Sequence, residues 1–313
     1  MDTATTRAEL RRRVADWRAG GETVGLVPTM GALHEGHLAL VRRCRVLADR
    51  TVVSVFVNPT QFNEAADLER YPRTPRRDAE LLAGAGVDLL FLPAVEEIYP
   101  PGDATRVEVA GPAEGLEGAH RPGHFRGVAT VVARLFHLVQ PHLAVFGEKD
   151  AQQLAVVRRM TADLHIPVEV VGHPTVRHAD GLAMSSRNAL LAAGDRAAAA
   201  VLYRALTAAR ERVAAGERSA DALRRAMAEV LAGEPRAAVE YAEVVDADTF
   251  QPLDRLPAAG RVVLPIAVRV GRGAAAVRLI DNLQLDVPAD ASYPNDPPTD
   301  PPATVGTRGA GVA

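Results

Sequence analysis

The chain has 313 residues, of which 48% are hydrophobic and only 4% aromatic, so it can build a core of Ala, Val and Leu over about two domains. A net charge of −3 excludes the basic footprint of a protein whose main partner is nucleic acid. One cysteine, Cys44, excludes an intramolecular disulfide and a cysteine-based zinc cluster. It sits in the apolar-periodic run HLALVRRCRVL and reads as a helix residue rather than a nucleophile. The start, MDTATTRAELRRRVADW, has charges but no apolar h-region, so no secretory signal is expected there. No apolar run approaches the ~20 residues that span a bilayer. These features lead to the expectation of a soluble, cytoplasmic protein.

Short apolar or β-branched runs alternate with helical patterns. A strand is predicted over 24–27 and a helix over 36–47. The run TVVSVFV (51–57) is apolar on both faces, as a central parallel strand should be. A helix over 76–85 and a strand over 87–92 follow. A helix over 127–139, a strand over 143–146, a helix over 150–164 and a strand over 167–171 complete the series. This β-α-β alternation predicts an α/β fold with a doubly wound parallel sheet over 1–175. Ala-rich helices over 196–215 and 219–232 then precede strands over 239–245, 262–270 and 275–285. Helices grouped before strands predict a smaller α+β domain over 176–286. The remainder, 287–313, is rich in Pro, Asp, Gly and Thr and reads as a disordered tail.

Four motifs fall at predicted strand ends or at the domain junction. In VPTMGALHEGHLAL, His34 and His37 flank Gly36 on the first turn of a helix. Unpaired backbone N–H groups and the positive helix end there suit a triphosphate, and Gly36 leaves room for a ligand. Two such histidines also fit a polar surface, a metal pair or a pH-sensitive patch. The sequence HEGH is not HExxH, and neither a P-loop nor a GxGxxG fingerprint occurs. In VNPTQF, Asn58 and Gln61 can offer neutral donors and acceptors to a hydroxy acid, or simply form an Asn-Pro turn. In FGEKD, Lys149 is the one lysine in a chain with 36 Lys and Arg together. A compact ammonium there suits phosphate oxygens, and Asp150 suits ribose hydroxyls or a helix cap. Gln153, one turn on, faces the same cleft. In GLAMSSRN, two hydroxyls and an Arg form either a phosphate clamp or a helix-capping loop.

Taken in order, TMGALHEGH, NPTQF, FGEKDAQQL and MSSRN resemble the pantothenate synthetase (pantoate–β-alanine ligase) family, over about residues 7–285. HEGH is similar to the HIGH motif, and MSSRN to the KMSKS loop, of a wider nucleotidyltransferase superfamily. The resemblance implies a Rossmann-type N-terminal domain, a C-terminal lid and a homodimer. It implies that Mg²⁺-ATP, pantoate and β-alanine are bound and that ATP-dependent condensation runs through pantoyl adenylate, in the pathway to coenzyme A. It implies that Met30, Gly31, Ala32, Leu33, His34, Glu35, Gly36 and His37 line the ATP site. Gly147, Glu148, Lys149, Asp150, Val176, Met184, Ser185, Ser186 and Arg187 would complete it. His34, His37 and Lys149 would be catalytic, with Gln61, Gln153 and nearby Asn58 on pantoate. Glu117 and Arg121 would lie at a dimer or cleft edge. Two departures stand out. Ala151 replaces an aromatic, and YPRTPRRD leaves Asp78 beside Arg77 where two acids are usual. A dedicated protein cage for the metal is therefore not expected. The rival readings are a nucleotidyltransferase with another acceptor and a non-catalytic nucleotide-binding regulator.

Overall fold

A computed structural model describes residues 1–63 and 65–287 of the chain. Strands β1 (Asp2–Ala4), β2 (Val24–Thr29), β3 (Arg50–Val55), β4 (Leu89–Phe91), β5 (Leu143–Gly147) and β6 (Glu169–His173) form one six-stranded sheet. Its order is β1-β4-β3-β2-β5-β6, and every pairing is parallel. The helices between them are α1 (Arg7–Ala19), α2 (Glu35–Leu47), α3 (Ala65–Arg70), α4 (Pro75–Gly84), α5 (Val95–Ile98), α6 (Leu116–His120), α7 (His124–Val139) and α8 (Ala151–Asp163).

Alternate strand residues feed two cores, as a period of two requires. Leu26, Val52 and Ala144 pack with α1, α7 and α8, while Val27, Val53 and Val145 pack with α2 and α4. Covering both faces is what lets these strands be apolar throughout. Cys44 of α2 is fully buried, and a Cβ on Gly25 of β2 would lie 2.3 Å from its sulfur. Burial pushes its thiol up to about 11, which removes it as a nucleophile at neutral pH.

Helices α9 (Ala193–Ala198), α10 (Val201–Ala214) and α11 (Ala220–Ala232) precede β7 (Ala237–Ala242), β8 (Val245–Asp246), β9 (Gly260–Val270) and β10 (Val277–Val287). These strands form a smaller antiparallel sheet with its own core against α10 and α11. The α/β architecture is Rossmann-type, with a second domain that mixes helices and antiparallel strands.

Several local expectations need correction. The single helix expected over 196–215 is broken at Ala199–Ala200, where the backbone tightens into i→i+3 bonds. The strand over 239–245 is divided into β7 and β8, which meet different stretches of β9. Val287 belongs to β10 and is 4% exposed, so the tail begins beyond it. The rest of that predicted tail lies outside the described residues. Elements β1 and α1 go beyond the expectations. A capping box between Thr6 and Glu9 starts α1, which buries Leu10 and Val14.

Candidate active site

The chain winds from β2 outward through β3 and β4, then returns to lay β5 on the other side of β2. That reversal opens a crevice at the carboxyl ends of β2 and β5. The HEGH turn leaves β2 there, and the GEKD turn leaves β5. A cavity of about 230 Å³ sits between them.

Every backbone N–H from Gly31 to His34 is already spoken for. Gly31 donates to Thr29 Oγ1 at 3.2 Å, Ala32 to Asp78 Oδ2 at 3.0 Å and Leu33 to Asp78 Oδ1 at 2.9 Å. His34 N donates to His37 Nδ1 at 3.3 Å, and Gly36 N to His34 Nδ1 at 3.2 Å. The two imidazoles therefore form a reciprocal capping box on α2. This corrects the expectation of unpaired amides waiting for an anion: Asp78 and the histidines have taken them. It also corrects the role of Gly36. A Cβ there would meet the His34 ring at 2.9 Å, so the glycine makes room for the imidazole first.

The capping fixes the chemistry of both rings. Because each Nδ1 accepts from a backbone N–H, we assign the neutral tautomer with its proton on Nε2. Burial, helped by Lys149, pulls His34 down to about 4. Burial pulls His37 down to about 3, with His34 and Lys149 adding to it. At neutral pH the pair offers two N–H donors without a cationic charge. Met30, His34, Gly36 and His37 line the cavity. Gly31 and Ala32, with φ of 82° and 50°, form the bend over Asp78. Leu33 is buried in the core beside α2, and Glu35 is exposed and paired with Arg42. The structure thus turns Leu33 and Glu35 away from the cavity.

In the GEKD turn, Gly147, Lys149 and Asp150 line the cavity. Lys149 Nζ lies 3.5 Å from Asp150 Oδ1. Asp150 holds the N-cap position of α8 but makes no side-chain cap bond, which leaves its carboxylate available. Glu148 instead packs on β6, where its Oε1 would stand 2.8 Å from a Cβ on Gly172. The turn is clamped from the other domain: Asn282 Nδ2 donates to the carbonyls of Glu148 and Lys149 at 2.9 and 2.8 Å.

Asn58 is 1% exposed and fully engaged. Its Nδ2 donates to Gln61 Oε1 at 2.9 Å and to the Gly127 carbonyl at 3.1 Å. Its Oδ1 accepts from the hydroxyls of Thr60 and Tyr99 at 2.9 and 2.7 Å. Asn58 therefore holds Gln61 rather than reaching for a ligand. Among the described residues Gln61 Nε2 meets only the weak Met30 sulfur, at 3.2 Å, and Gln153 lines the same space. Opposite them, Phe56, Val128, Val131, Val132 and Leu135 supply an apolar wall. Val176, Met184, Ser185, Ser186 and Arg187 close the far side. Ser185 caps its own short turn, and Arg187 reaches Asp67 at 3.3 Å across the mouth.

Several site residues carry no local signal in the sequence. His124 is 7% exposed and aims Nδ1 at the Gln61 carbonyl from 2.9 Å, while burial holds its pKa down to about 4. Tyr71 lines the cavity, and burial raises its pKa. Glu117 and Arg121, expected at a dimer or cleft edge, both line the cleft between the two domains. Glu117 is 5% exposed and takes a two-pronged bond from Arg278 at 2.8 and 2.5 Å, plus the Tyr241 hydroxyl at 2.8 Å. Arg121 lines the cavity itself.

A family model described as pantoate-beta-alanine ligase matches residues 2–284. The chain belongs to that family. It is 56% identical over 278 residues to the pantothenate synthetase of Cereibacter sphaeroides, covering 89% of this chain and 97% of that protein. It is 52% identical over 287 residues to the pantothenate synthetase of Moorella thermoacetica, covering 92% and 99%. The solved pantothenate synthetase of Thermus thermophilus matches with a TM-score of 0.83 and 54% identity, covering 90% of this chain and 99% of that one. A pantoate-beta-alanine ligase from Francisella tularensis, complexed with beta-gamma ATP and beta-alanine, matches with a TM-score of 0.72 and 32% identity, covering 90% and 97%. Membership of the pantoate–β-alanine ligase family makes the chain an enzyme of the ligase class, and its two-domain α/β fold is the one these structures share.

Proposed function

We propose that this chain joins pantoate to β-alanine at the expense of ATP, releasing AMP and pyrophosphate. The observation that carries the reading is the convergence of neutral N–H donors, an ammonium, two guanidiniums and two glutamines on one cavity. In the first step a pantoate carboxylate oxygen attacks the α-phosphorus. The bond from that phosphorus to the β-bridging oxygen breaks, and pyrophosphate leaves. In the second, the amine of β-alanine, having shed one proton from its ammonium form, attacks the acyl carbon. The C–N bond forms, the C–O bond to AMP breaks, and the nitrogen loses a second proton.

The residues supply position and charge. Lys149 and Arg187 neutralise phosphate oxygens, and the Nε2–H groups of His34 and His37 donate to them. Gln61, fixed by Asn58, and Gln153 orient pantoate, whose methyl groups suit the apolar wall. Val176 with its neighbours receives adenine, and Asp150 suits the ribose. The C-terminal domain, taken from about residue 176, acts as a lid that keeps water from the acyl adenylate.

Mg²⁺ enters as part of the nucleotide substrate. Among the described residues no group of three or more His, Cys, Asp or Glu is placed to hold a metal. Asp78, where a metal-binding acid would be sought, has both oxygens on backbone amides. That donor set fits a metal held by phosphate oxygens and water. Assembly as a homodimer and a cytoplasmic location rest on the family resemblance, and light scattering tests the former.

The deciding experiment is pantoate-dependent exchange of labelled pyrophosphate into ATP with β-alanine left out. Exchange that needs pantoate is the expected result. ATP binding without exchange would overturn the adenylation step and favour another acceptor or a non-catalytic role.

A further inference from the structure

We propose that Arg121 receives the carboxylate of β-alanine, and that the amine substrate reaches the acyl group through a second cavity that Arg121 shares with the first. This rests on the reaction proposed above and adds the residue that selects the amine.

The second cavity, of about 460 Å³, opens between the two domains. It shares Tyr71, Arg121, Lys149, Asp150, Ser185 and Arg187 with the first. Its remaining lining is rich in cations, but most have a carboxylate of their own. Arg278 lies on Glu117 and on Glu240 at 2.7 Å, and Arg269 lies on Glu240 at 2.7 Å. Arg187 has Asp67 at 3.3 Å, and Lys149 has Asp150 at 3.5 Å. Arg70 sits exposed on the rim.

Arg121 is different. Its side chain is 18% exposed, and among the described residues its nearest carboxylate oxygen, on Glu117, is 3.9 Å away. Both oxygens of Glu117 are already bonded to Arg278, and one also to Tyr241. Its other partners are distant: His124 Nε2 at 3.3 Å and the Gln61 carbonyl at 3.4 Å. A guanidinium carries five N–H donors in a planar fork suited to a carboxylate. Here much of that fork is unspent in a setting where burial makes the charge costly, and burial lowers its pKa.

Position supports the assignment. The Gln61 carbonyl that Arg121 touches belongs to the residue whose amide faces the acyl half of the intermediate. By standard bond lengths the two carbons of β-alanine hold its amine roughly 4–5 Å from its carboxylate. A carboxylate seated on Arg121 leaves the amine to reach inward. The carboxylate is also the only charged group that separates β-alanine from other short primary amines once the amine is deprotonated.

Two assays on full-length protein test this. One is pantoate-dependent pyrophosphate exchange without β-alanine. The other is amide formation with β-alanine or with 3-aminopropan-1-ol, which lacks the carboxylate. Arg121→Gln should raise the KM for β-alanine by about 10- to 100-fold, the scale of one charge-assisted contact. It should change exchange far less and erase most of the preference for β-alanine over the amino alcohol. Arg121→Lys should recover part of that preference, and it decides on the same axes if the Gln variant does not fold. An unchanged β-alanine KM overturns the proposal. So does exchange falling in step with it, because Arg121 would then serve the phosphates or merely brace Gln61. Wild-type protein that shows no exchange at all overturns the underlying reaction instead, a result the variants cannot mimic.

Discussion

The HEGH and GEKD turns stand on either side of one crevice, yet they are built in opposite ways. The HEGH turn is held entirely from within its own domain, by Thr29, Asp78 and the reciprocal histidine caps. The GEKD turn takes its clamp from Asn282 of β10, across the domain boundary. One wall of the site is held within its own domain, and the other is bonded to the second domain. The proposed catalysis by positioning calls for the first, and the proposed lid for the second.

Breaking each side should separate these roles. The largest effect should come from Lys149→Ala, which removes the ammonium outright. Pyrophosphate exchange should fall by about 10²–10³-fold or more, the cost of losing one preorganised charge partner. Lys149→Arg should recover little, because a planar fork replaces a compact point charge. Near-wild-type turnover by the Ala variant would remove Lys149 from the chemistry. Next comes Asp78→Asn, which sets an amide donor against a backbone donor beneath the HEGH turn. A misplacement of about 1 Å there is expected to cost about 10²-fold in exchange. Stopped assays on protein checked by urea melts will show whether the loss exceeds any loss of folded material. Asn282→Ala leaves two carbonyls without their partner at a cost of about 1–3 kcal/mol, so the KM for ATP should rise about tenfold while the HEGH turn is untouched. If instead kcat falls and KM holds, the clamp serves chemistry rather than binding.

A separate effect is on pH dependence. Burial holds His34 and His124 at about 4 and His37 at about 3, below an ordinary value of 6.5. The unfolded chain binds these protons below pH 6.5 and the folded chain refuses them. Stability is therefore full above that pH and falls as pH drops toward 4, by up to about 1.4 kcal/mol per pH unit for each ring. Thermal melts of the ligand-free protein between pH 7 and pH 5 check this, and His37→Gln should flatten the slope. A wild-type melting temperature that does not drop over that range would place charged rings in the cavity.

Much of this was legible in sequence order. The runs TVVSVFV and VDLLFL announced buried strands because both sheet faces are covered, and the motif turns fell at strand ends because that is where a parallel sheet opens. The placements that failed were decided by partners far along the chain. Nothing in YPRTPRRD tells that Asp78 will hold amides 45 and 46 positions earlier. Nothing local pairs Glu117 with Arg278, 161 positions away. Glu35 and Leu33 sit in the right motif but on the wrong side of a turn whose curvature Asp78 sets. The N-terminal helix, by contrast, carried its start in Thr6 and Glu9.

The solitary lysine has a use outside its proposed part in catalysis. A chain with 36 Lys and Arg together but one ε-amine gives amine-directed reagents a single side-chain target, 20% exposed and inside the cavity. Acylation at that amine becomes a direct gauge of whether the site is filled, with no engineering of the surface. The same scarcity limits self-damage. An enzyme that makes a free acyl donor in its own crevice presents that donor with guanidinium groups almost everywhere else, and these stay protonated and do not attack.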